Sequence, residues 1–161
     1  MIHLITGGSA SGKSAYAEGQ AMAAAHERYY IATMRPYGQE GRARVEKHRR
    51  MRAGKGFFTV ECYTDLRGVS LGEGSGGGVI LLECMSNLTA NELFDVGGSD
   101  EEICERILDG IRHLQKLSKH LIIVTNEVFS DGLGYEEETL RYIRLLGRVN
   151  RLFIFLKQAY T

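Results

Sequence analysis

The sequence predicts an α/β fold with a mostly parallel central sheet and helices on both of its faces. Two observations carry this prediction. Short apolar runs, which are typical of buried strands, alternate along the chain with longer segments of helical periodicity. A glycine-rich stretch follows the first apolar run and precedes an alanine-rich segment, so the chain opens as strand, loop and helix.

The predicted elements follow in chain order. The strands are 2–5, 29–33, 57–61, 79–83, 121–125 and 152–156, of which 57–61 and 152–156 are the weaker candidates. The helices are 14–25, 40–51, 101–117 and 136–151. Ser99, which is followed by acidic residues, is the expected N-cap of the third helix. One face of that helix carries apolar residues, namely Ile103, Ile107, Ile111 and Leu114. Because the chain shows no repeat and no second domain, we expect a single domain over residues 1–161.

The composition limits the partners and the compartment. The formal net charge is +0 at pH 7, so no basic excess points to a nucleic acid or an anionic membrane. No apolar run reaches the roughly 18–20 residues of a membrane span, and no signal peptide is expected. Cys62, Cys84 and Cys104 form no C-x-x-C pair. We expect reduced thiols in a cytoplasmic protein.

The stretch TGGSASGKSAY contains a phosphate-binding motif. Its residues with the spacing G-x-x-x-x-G-K-[ST] are Gly7, Gly12, Lys13 and Ser14. The glycines let backbone N–H groups point inward, and the following helix directs its positive end at the same place. The lysine supplies a mobile charge for the phosphates, and the serine hydroxyl supplies a ligand for Mg²⁺. A glycine-rich turn matching by chance is the alternative, but the strand, loop and helix context favours the phosphate loop.

Polar residues also end two later predicted strands. Glu83 follows four apolar residues, at the carboxyl end of a strand, where open α/β sheets place ligand-binding groups. It is therefore a second candidate ligand for Mg²⁺, and the alternative is an ordinary carboxylate at a strand end. Thr125, Asn126 and Glu127 are weaker candidates for lining the same crevice.

The segment EGRARVEKHRRMR at 40–52 is strongly basic. In a helix, Arg44, His48 and Arg52 are spaced four apart and share one face. Guanidinium groups grip phosphate oxygens and disfavour a further positive charge beside them. A neutral histidine beside a triphosphate can attack phosphorus and form a covalent nucleotidyl intermediate. Spacing alone nevertheless favours the alternative, a solvated charged helix with an incidental histidine.

Taken together, these stretches resemble the bifunctional adenosylcobinamide kinase / adenosylcobinamide-phosphate guanylyltransferase family of cobalamin biosynthesis. The matching motifs lie within residues 2–151 and occur in the family's order: ITGGSASGKSAYAE, YIAT, RARVEKHRRMR, FTVE, VILLECMSN, IVTNEV and LRYIRLLGRVNR. Only the phosphate loop is decisive by itself, but the ordered set is specific.

The resemblance implies a RecA-like P-loop fold and two reactions. In the first, ATP or GTP phosphorylates a hydroxyl group of adenosylcobinamide. In the second, GMP from GTP is joined to adenosylcobinamide phosphate through a GMP–histidine intermediate, which gives adenosylcobinamide-GDP and pyrophosphate. The resemblance further implies a homo-oligomer, namely a trimer.

The resemblance also assigns residues. It places the GMP-carrying histidine at His48, which reverses the preference given by spacing, and Lys13 is the second expected catalytic residue. The expected nucleotide contacts are Gly7, Gly8, Ser9, Ala10, Ser11, Gly12, Lys13, Ser14, Ala32, Thr33, Met34, Arg49, Arg50, Met51, Arg52, Glu61 and Glu83. Glu61 has acceptors that suit the N1–H and 2-amino donors of guanine. Ser14 and Glu83 are the expected Mg²⁺ ligands.

The chain departs from the family pattern in two places. LFIFLKQAYT follows GRVNR at once, where family members have a small-residue helix and a final strand. The C-terminus is thus shortened, and the last strand either forms directly or is missing. FSDGLGYEEE replaces the usual GxGIVPEN-type stretch. Two other functions stay open, which are a different small P-loop kinase with the basic helix as a lid, and a GTP-binding module without turnover.

Overall fold

A computed structural model describes residues 1–127 and 136–159 as a sheet with helices packed on it. The strands are β1 (Ile2–Gly7), β2 (Arg28–Ala32), β3 (Phe57–Glu61), β4 (Val79–Glu83) and β5 (His120–Asn126). The helices are α1 (Lys13–Ala24), α2 (Gly38–Arg52), α3 (Met85–Asn91), α4 (Asp100–Leu117) and α5 (Glu137–Ala159). A 3₁₀ turn at Leu66–Gly68 and a π-helical turn at Glu92–Val96 complete the described elements.

The five strands lie in the order β1-β5-β4-β2-β3. Every neighbouring pair is parallel, so all five strands end at the same edge of the sheet. The register places Glu83 of β4 beside Ala32 of β2, which in turn lies beside Glu61 of β3. The carboxyl ends of distant segments are thereby brought together, although the chain between them is long.

The two faces of the sheet bury different apolar clusters. Val79 and Leu81 of β4 pack with Ala17 and Ala21 of α1. The alternate strand residues Ile80 and Leu82, with others, belong to the larger cluster on the opposite face, together with residues of α3, α4 and α5. This alternation follows from the two-residue period of a strand. The predicted α/β fold, with a parallel sheet and helices on both faces, is confirmed.

Helix α4 forms where its sequence predicts it. The Ser99 hydroxyl accepts from the Glu102 backbone N–H at 3.2 Å, and the Glu102 carboxylate accepts from the Ser99 N–H at 2.9 Å. This capping box satisfies two backbone donors at the helix start. The apolar face is buried, and its members include Ile103, Ile107, Ile111 and Leu114. No helix in the two described ranges is both long and apolar enough to cross a bilayer.

The predicted strand at 152–156 is wrong. Helix α5 runs without a break from Glu137 to Ala159 and includes this segment. Leu146, Val149 and Phe153 are buried and are spaced three and four residues apart, which is the helical period. No glycine or proline separates Arg151 from the apolar run, so nothing in the sequence ends the helix there.

Sequence reasoning missed α3 and the π-helical turn after it. The thiol of Cys84 caps α3 by accepting from the Asn87 N–H at 3.5 Å. In the π-helical turn, the buried carboxylate of Glu92 accepts from the Arg106 guanidinium at 2.9 Å and from the Asp65 N–H at 2.6 Å. These elements are short and are stabilised by contacts with distant segments, so no local sequence pattern predicts them.

Candidate active site

A cavity of about 510 Å³ opens at the edge where the strands end. Four of its lining residues are the last residues of their strands, namely Ala32, Glu61, Glu83 and Asn126. The phosphate loop forms a second part of the wall, and helix α2 forms a third. Such a crevice at the carboxyl ends of parallel strands is the usual ligand site of an open α/β sheet.

The phosphate loop joins β1 to the start of α1. Gly12 lies in the left-handed region with φ of +83°, a conformation that favours glycine, and it directly precedes α1. A β-carbon at Gly7 would lie 2.9 Å from the Ser11 hydroxyl oxygen, so a larger residue there would crowd the loop. The Lys13 ammonium donates to the Gly8 carbonyl at 2.8 Å and lies over the loop. The loop thus presents backbone donors and one cation to the cavity.

Glu83 lies at the centre of the polar contacts. Its side chain is only 7% exposed. The Ser14 hydroxyl donates to Oε1, and the Tyr30 hydroxyl donates to Oε2 at 3.0 Å. The two contacts connect the first turn of α1 with β2 and β4, and they fix the position of the carboxylate in the cavity wall.

Tyr30 connects Glu83 to Arg52. Burial, together with the neighbouring Glu83 carboxylate, raises the pKa of the Tyr30 phenol far above its ordinary value. Tyr30 is therefore protonated at neutral pH and donates its hydroxyl hydrogen to Glu83. The guanidinium carbon of Arg52 lies 3.5 Å from the centre of the Tyr30 ring, which is a cation–π contact. This contact attaches the end of helix α2 to the sheet.

His48 lies on helix α2 and lines the cavity. Its Nδ1 is buried and lies 3.9 Å from Glu83 Oε1, and it makes no hydrogen bond within the described part of the chain. Arg44 and Arg52, which the helical spacing places on the same face, line the cavity as well. The spacing did not reveal the carboxylate next to His48, because Glu83 lies far away in the sequence.

Most of the predicted site residues line this one cavity. They are Ser9, Ala10, Ser11, Gly12, Lys13, Ser14, Ala32, Met34, His48, Arg49, Met51, Arg52, Glu61 and Glu83. The structure does not place Gly7, Gly8, Thr33 and Arg50 among the lining residues. Thr33 is fully buried, and its hydroxyl accepts from the Cys84 N–H at 2.8 Å. The Arg50 side chain is 79% exposed and pairs with Glu46, one helical turn earlier.

The remaining polar candidates are divided between the cavity and the packing around it. Asn126 lines the cavity, whereas the buried Thr125 donates to the Asn150 side chain at 2.8 Å. Glu127 accepts from the Thr6 hydroxyl at 3.4 Å. Glu61 accepts from Arg49 at 2.9 Å, so its carboxylate is already paired. Most of the FSDGLGYEEE stretch lies outside the described residues.

Sequence reasoning missed several lining residues, and Tyr30 is the most important of them. The others are Ala15, Val45, Lys47, Thr59, Cys84, Asn87 and Val124. Tyr30 lies two residues before Ala32 on β2, so the two-residue period of a strand places both on one face of the sheet. That signal could have found Tyr30 once Ala32 was a candidate, but only the strand order reveals that Glu83 is within its reach.

The oxygen atoms of Ser14 and Glu83 fit a Mg²⁺ site. A hydroxyl and a carboxylate are the oxygen ligands that this cation prefers, and the structure holds the two groups in contact. In the described ranges, no group of three or more histidine, cysteine, aspartate or glutamate side chains is arranged to hold a metal. A site with only two protein ligands is typical of Mg²⁺ that is bound together with substrate phosphates.

Comparison with known proteins agrees with this geometry. A family model described as "Cobinamide kinase / cobinamide phosphate guanyltransferase" matches residues 3–158. The chain belongs to this family. Two similar relatives, from Escherichia coli (strain K12) and Salmonella typhimurium (strain LT2), are both named "Bifunctional adenosylcobalamin biosynthesis protein CobU". Each is 33% identical to this chain over 163 residues, which is 94% of this chain and 88% of the relative.

Membership in the cobinamide kinase / guanyltransferase family confirms the resemblance drawn from the motifs. It also agrees with the P-loop fold, since the loop, the parallel sheet and the strand-end carboxylate all belong to one site. The family match supports kinase and guanylyltransferase activities for this chain. The roles of individual residues do not follow from the family match.

Proposed function

We propose that this protein phosphorylates adenosylcobinamide with ATP or GTP and then transfers GMP from GTP to adenosylcobinamide phosphate. The second reaction passes through a GMP–His48 intermediate and gives adenosylcobinamide-GDP and pyrophosphate. The observation that carries the proposal is that His48 and the phosphate loop line the same cavity. A triphosphate held by the loop would therefore lie within reach of an imidazole, which is the arrangement that covalent nucleotidyl transfer needs.

The residues of the cavity have different proposed roles. The backbone N–H groups of residues 7–14 and the Lys13 ammonium bind the phosphates. Arg44 and Arg52 add positive charge on the side of helix α2. Ser14 and Glu83 would hold Mg²⁺, which neutralises negative charge on the phosphates when it is bound. Catalysis of phosphoryl transfer needs little more than such positioning and charge stabilisation.

Guanylyl transfer uses two displacements at the same phosphorus. A ring nitrogen of His48 attacks the α-phosphorus of GTP, and pyrophosphate leaves with the bonding electron pair. A phosphate oxygen of adenosylcobinamide phosphate then attacks that phosphorus and displaces the imidazole. The nucleotide is thereby joined to the corrinoid phosphate, and His48 returns to its starting form.

Glu61 is the residue that we propose for selecting guanine. Its carboxylate can accept from the N1–H and 2-amino groups, which adenine lacks. In the structure this carboxylate accepts from Arg49, so GTP would take the place of that pairing. Replacing Glu61 with glutamine should reduce the preference for GTP over ATP as a guanylyl or adenylyl donor. An unchanged preference in competition assays would exclude this role.

We further propose that the chain acts as one nucleotide-binding domain over residues 1–161, in a cytoplasmic homo-oligomer that is a trimer. Large exposed apolar side chains support self-association, namely Phe58 on the edge strand β3 and Ile154 and Phe155 on α5. Light scattering after gel filtration should give three times the chain mass. A monomer at micromolar concentration would contradict the trimer without affecting the proposed chemistry.

The proposed intermediate is tested by labelling the protein. Incubation with GTP labelled at the α-phosphorus, together with Mg²⁺, should leave label on the chain that acid removes and base does not. His48→Asn should abolish the label, because the amide is not a nucleophile. His26→Asn is the matched control, since His26 is exposed and does not line the cavity.

The outcomes separate the three candidate functions. Label that persists in His48→Asn would show that another residue carries GMP. Phosphorylation of a different metabolite or of a nucleoside, with ATP as effective as GTP and without any labelled protein, would favour a different small P-loop kinase. GTP binding in a titration calorimeter, with neither phosphorylation nor pyrophosphate release, would favour a binding module.

A further inference from the structure

We propose that Nε2 of His48, and not Nδ1, is the nitrogen that carries GMP, because the Glu83 carboxylate occupies the Nδ1 side of the ring. This inference rests on the proposed function, in which His48 forms the covalent intermediate. It adds which of the two ring nitrogens reacts, and it gives Glu83 a second task as the group that covers the Nδ1 side of the ring.

The position of the ring carries the inference. Nδ1 lies 3.9 Å from Glu83 Oε1 and is buried. The side chain as a whole is 26% exposed, so its accessible surface lies on the rest of the ring. The two nitrogens of an imidazole direct their lone pairs to different sides. With Nδ1 turned to Glu83, Nε2 is directed away from the carboxylate.

Glu83 cannot easily make room for a phosphate. Its Oε1 accepts from the Ser14 hydroxyl and its Oε2 from the Tyr30 hydroxyl, and the side chain is 7% exposed. Tyr30 is itself buried under the Arg52 guanidinium. A rotation of the carboxylate away from His48 would break both hydrogen bonds and leave buried polar groups without partners, which is costly.

Access separates the two possible routes. Attack through Nδ1 would require the α-phosphorus to enter the space between the ring and Glu83, where Nδ1 is buried and lies only 3.9 Å from Oε1. Attack through Nε2 places the phosphate on the opposite side of the ring. A neutral imidazole that attacks through Nε2 carries its proton on Nδ1, on the side of Glu83.

In this route each bond that forms is matched by a bond that breaks. The Nε2 lone pair forms the nitrogen–phosphorus bond, and the bond from the α-phosphorus to the bridging oxygen breaks. Pyrophosphate leaves with that electron pair. The proton on Nδ1 stays in place, so the ring of the adduct is positively charged next to the Glu83 carboxylate. In the second displacement the nitrogen–phosphorus bond breaks and its electron pair returns to Nε2.

The isomer can be identified on the wild-type protein. The chain is labelled with α-phosphorus-labelled GTP, and periodate oxidation followed by base removes the nucleoside and leaves phosphate on the imidazole. Alkaline hydrolysis then releases phosphohistidine, whose Nδ1 and Nε2 isomers separate by chromatography against standards. Nitrogen chemical shifts of ¹⁵N-histidine-labelled protein, recorded before and after GTP is added, provide an independent reading.

We expect the Nε2 isomer in about tenfold or greater excess, since each factor of ten in rate corresponds to about 1.4 kcal/mol of barrier. A predominance of the Nδ1 isomer, or an equal mixture, would overturn the inference and leave the proposed function intact. An absence of adduct on His48 would overturn the proposed function itself, and the inference would fall with it. His26→Asn, which leaves the cavity intact, should give the wild-type isomer ratio.

Discussion

The phosphate loop and helix α2 line the same cavity, but different forces hold them in place. The helix that follows the loop buries Ala17, Glu18 and Ala21, and its two alanines pack against the sheet. Helix α2 buries only Arg52. Its described attachments are polar, namely Arg52 on the Tyr30 ring and Arg49 on Glu61. Lys55, which follows the helix, pairs with the buried Glu18 of α1.

The difference shows how the two halves of the site are determined. The backbone conformation of a short stretch of sequence and the apolar packing of α1 on the sheet fix the loop. A few side chains that reach distant partners fix the helix that carries His48. Single substitutions around α2 should therefore alter how His48 is placed, whereas substitutions in the loop should remove nucleotide binding directly.

The largest effect is expected from the loop lysine. Lys13→Met removes the cation that we propose binds the phosphates, and it keeps an unbranched side chain of similar length. We expect kcat/KM of both transfers to fall roughly 10²–10³-fold, as for other losses of a preorganised charge contact. Lys116→Met is the control, because Lys116 is exposed on α4. Wild-type rates in Lys13→Met would show that the loop does not bind the reacting phosphates.

The second effect concerns the ion pair between Lys55, which follows α2, and Glu18 of α1. Glu18 is fully buried and one of its oxygens has no hydrogen-bond partner among the described residues. Lys55→Met leaves this carboxylate without its cation, which should lower the free energy of unfolding by about 3 kcal/mol. Adding Glu18→Gln should restore much of the loss, since no buried charge then remains. Urea denaturation of the single and double variants checks this, and additive losses would contradict the coupling.

The third effect concerns the contact between Tyr30 and Glu83. Tyr30→Phe leaves a buried carboxylate oxygen without its donor, at a cost of about 1–3 kcal/mol. We expect guanylylation of His48 to slow by about tenfold, because the carboxylate beside the ring is less firmly placed. Stopped reactions with labelled GTP measure the rate, and melting experiments measure the stability.

Tyr29→Phe is the matched control for this prediction. Tyr29 is the neighbouring residue on β2, packs in the cluster on the other face, and donates to Glu27 at 2.6 Å. The Tyr29→Phe variant loses the same hydroxyl group and also a hydrogen bond to a carboxylate, but Tyr29 does not line the cavity. Equal slowing in the two variants would show that the Tyr30 effect is a general loss of stability.

The smallest effect separates two adjacent arginines of α2. Sequence resemblance predicts both Arg49 and Arg50 as nucleotide contacts, and the structure places only Arg49 in the cavity wall. Arg50 makes an exposed ion pair with Glu46, which contributes little. Arg50→Ala should change KM for GTP by less than about twofold, and Arg49→Ala should raise it more. A larger effect at Arg50 would show that α2 moves when GTP binds.

Much of the fold was predictable because its signals are local. The apolar runs predicted the five strands of the described ranges, and the Ser99 cap together with the apolar face predicted α4. The final segment of α5 was not predictable in the same way. Its apolar residues fit a short strand as well as a helix, and only the burial of Val149 and Phe153 decides for the helix. The roles of the predicted site residues remain predictions for the experiments above.

The sequence by itself determined the phosphate loop, because G-x-x-x-x-G-K-[ST] sets backbone angles and charge within eight neighbouring residues. It also determined the alternation of strands and helices. Only the tertiary structure decided that Tyr30, His48 and Glu83 meet in one cavity. These residues lie on β2, α2 and β4, and the order of the parallel strands, which no local pattern encodes, brings them to the same edge.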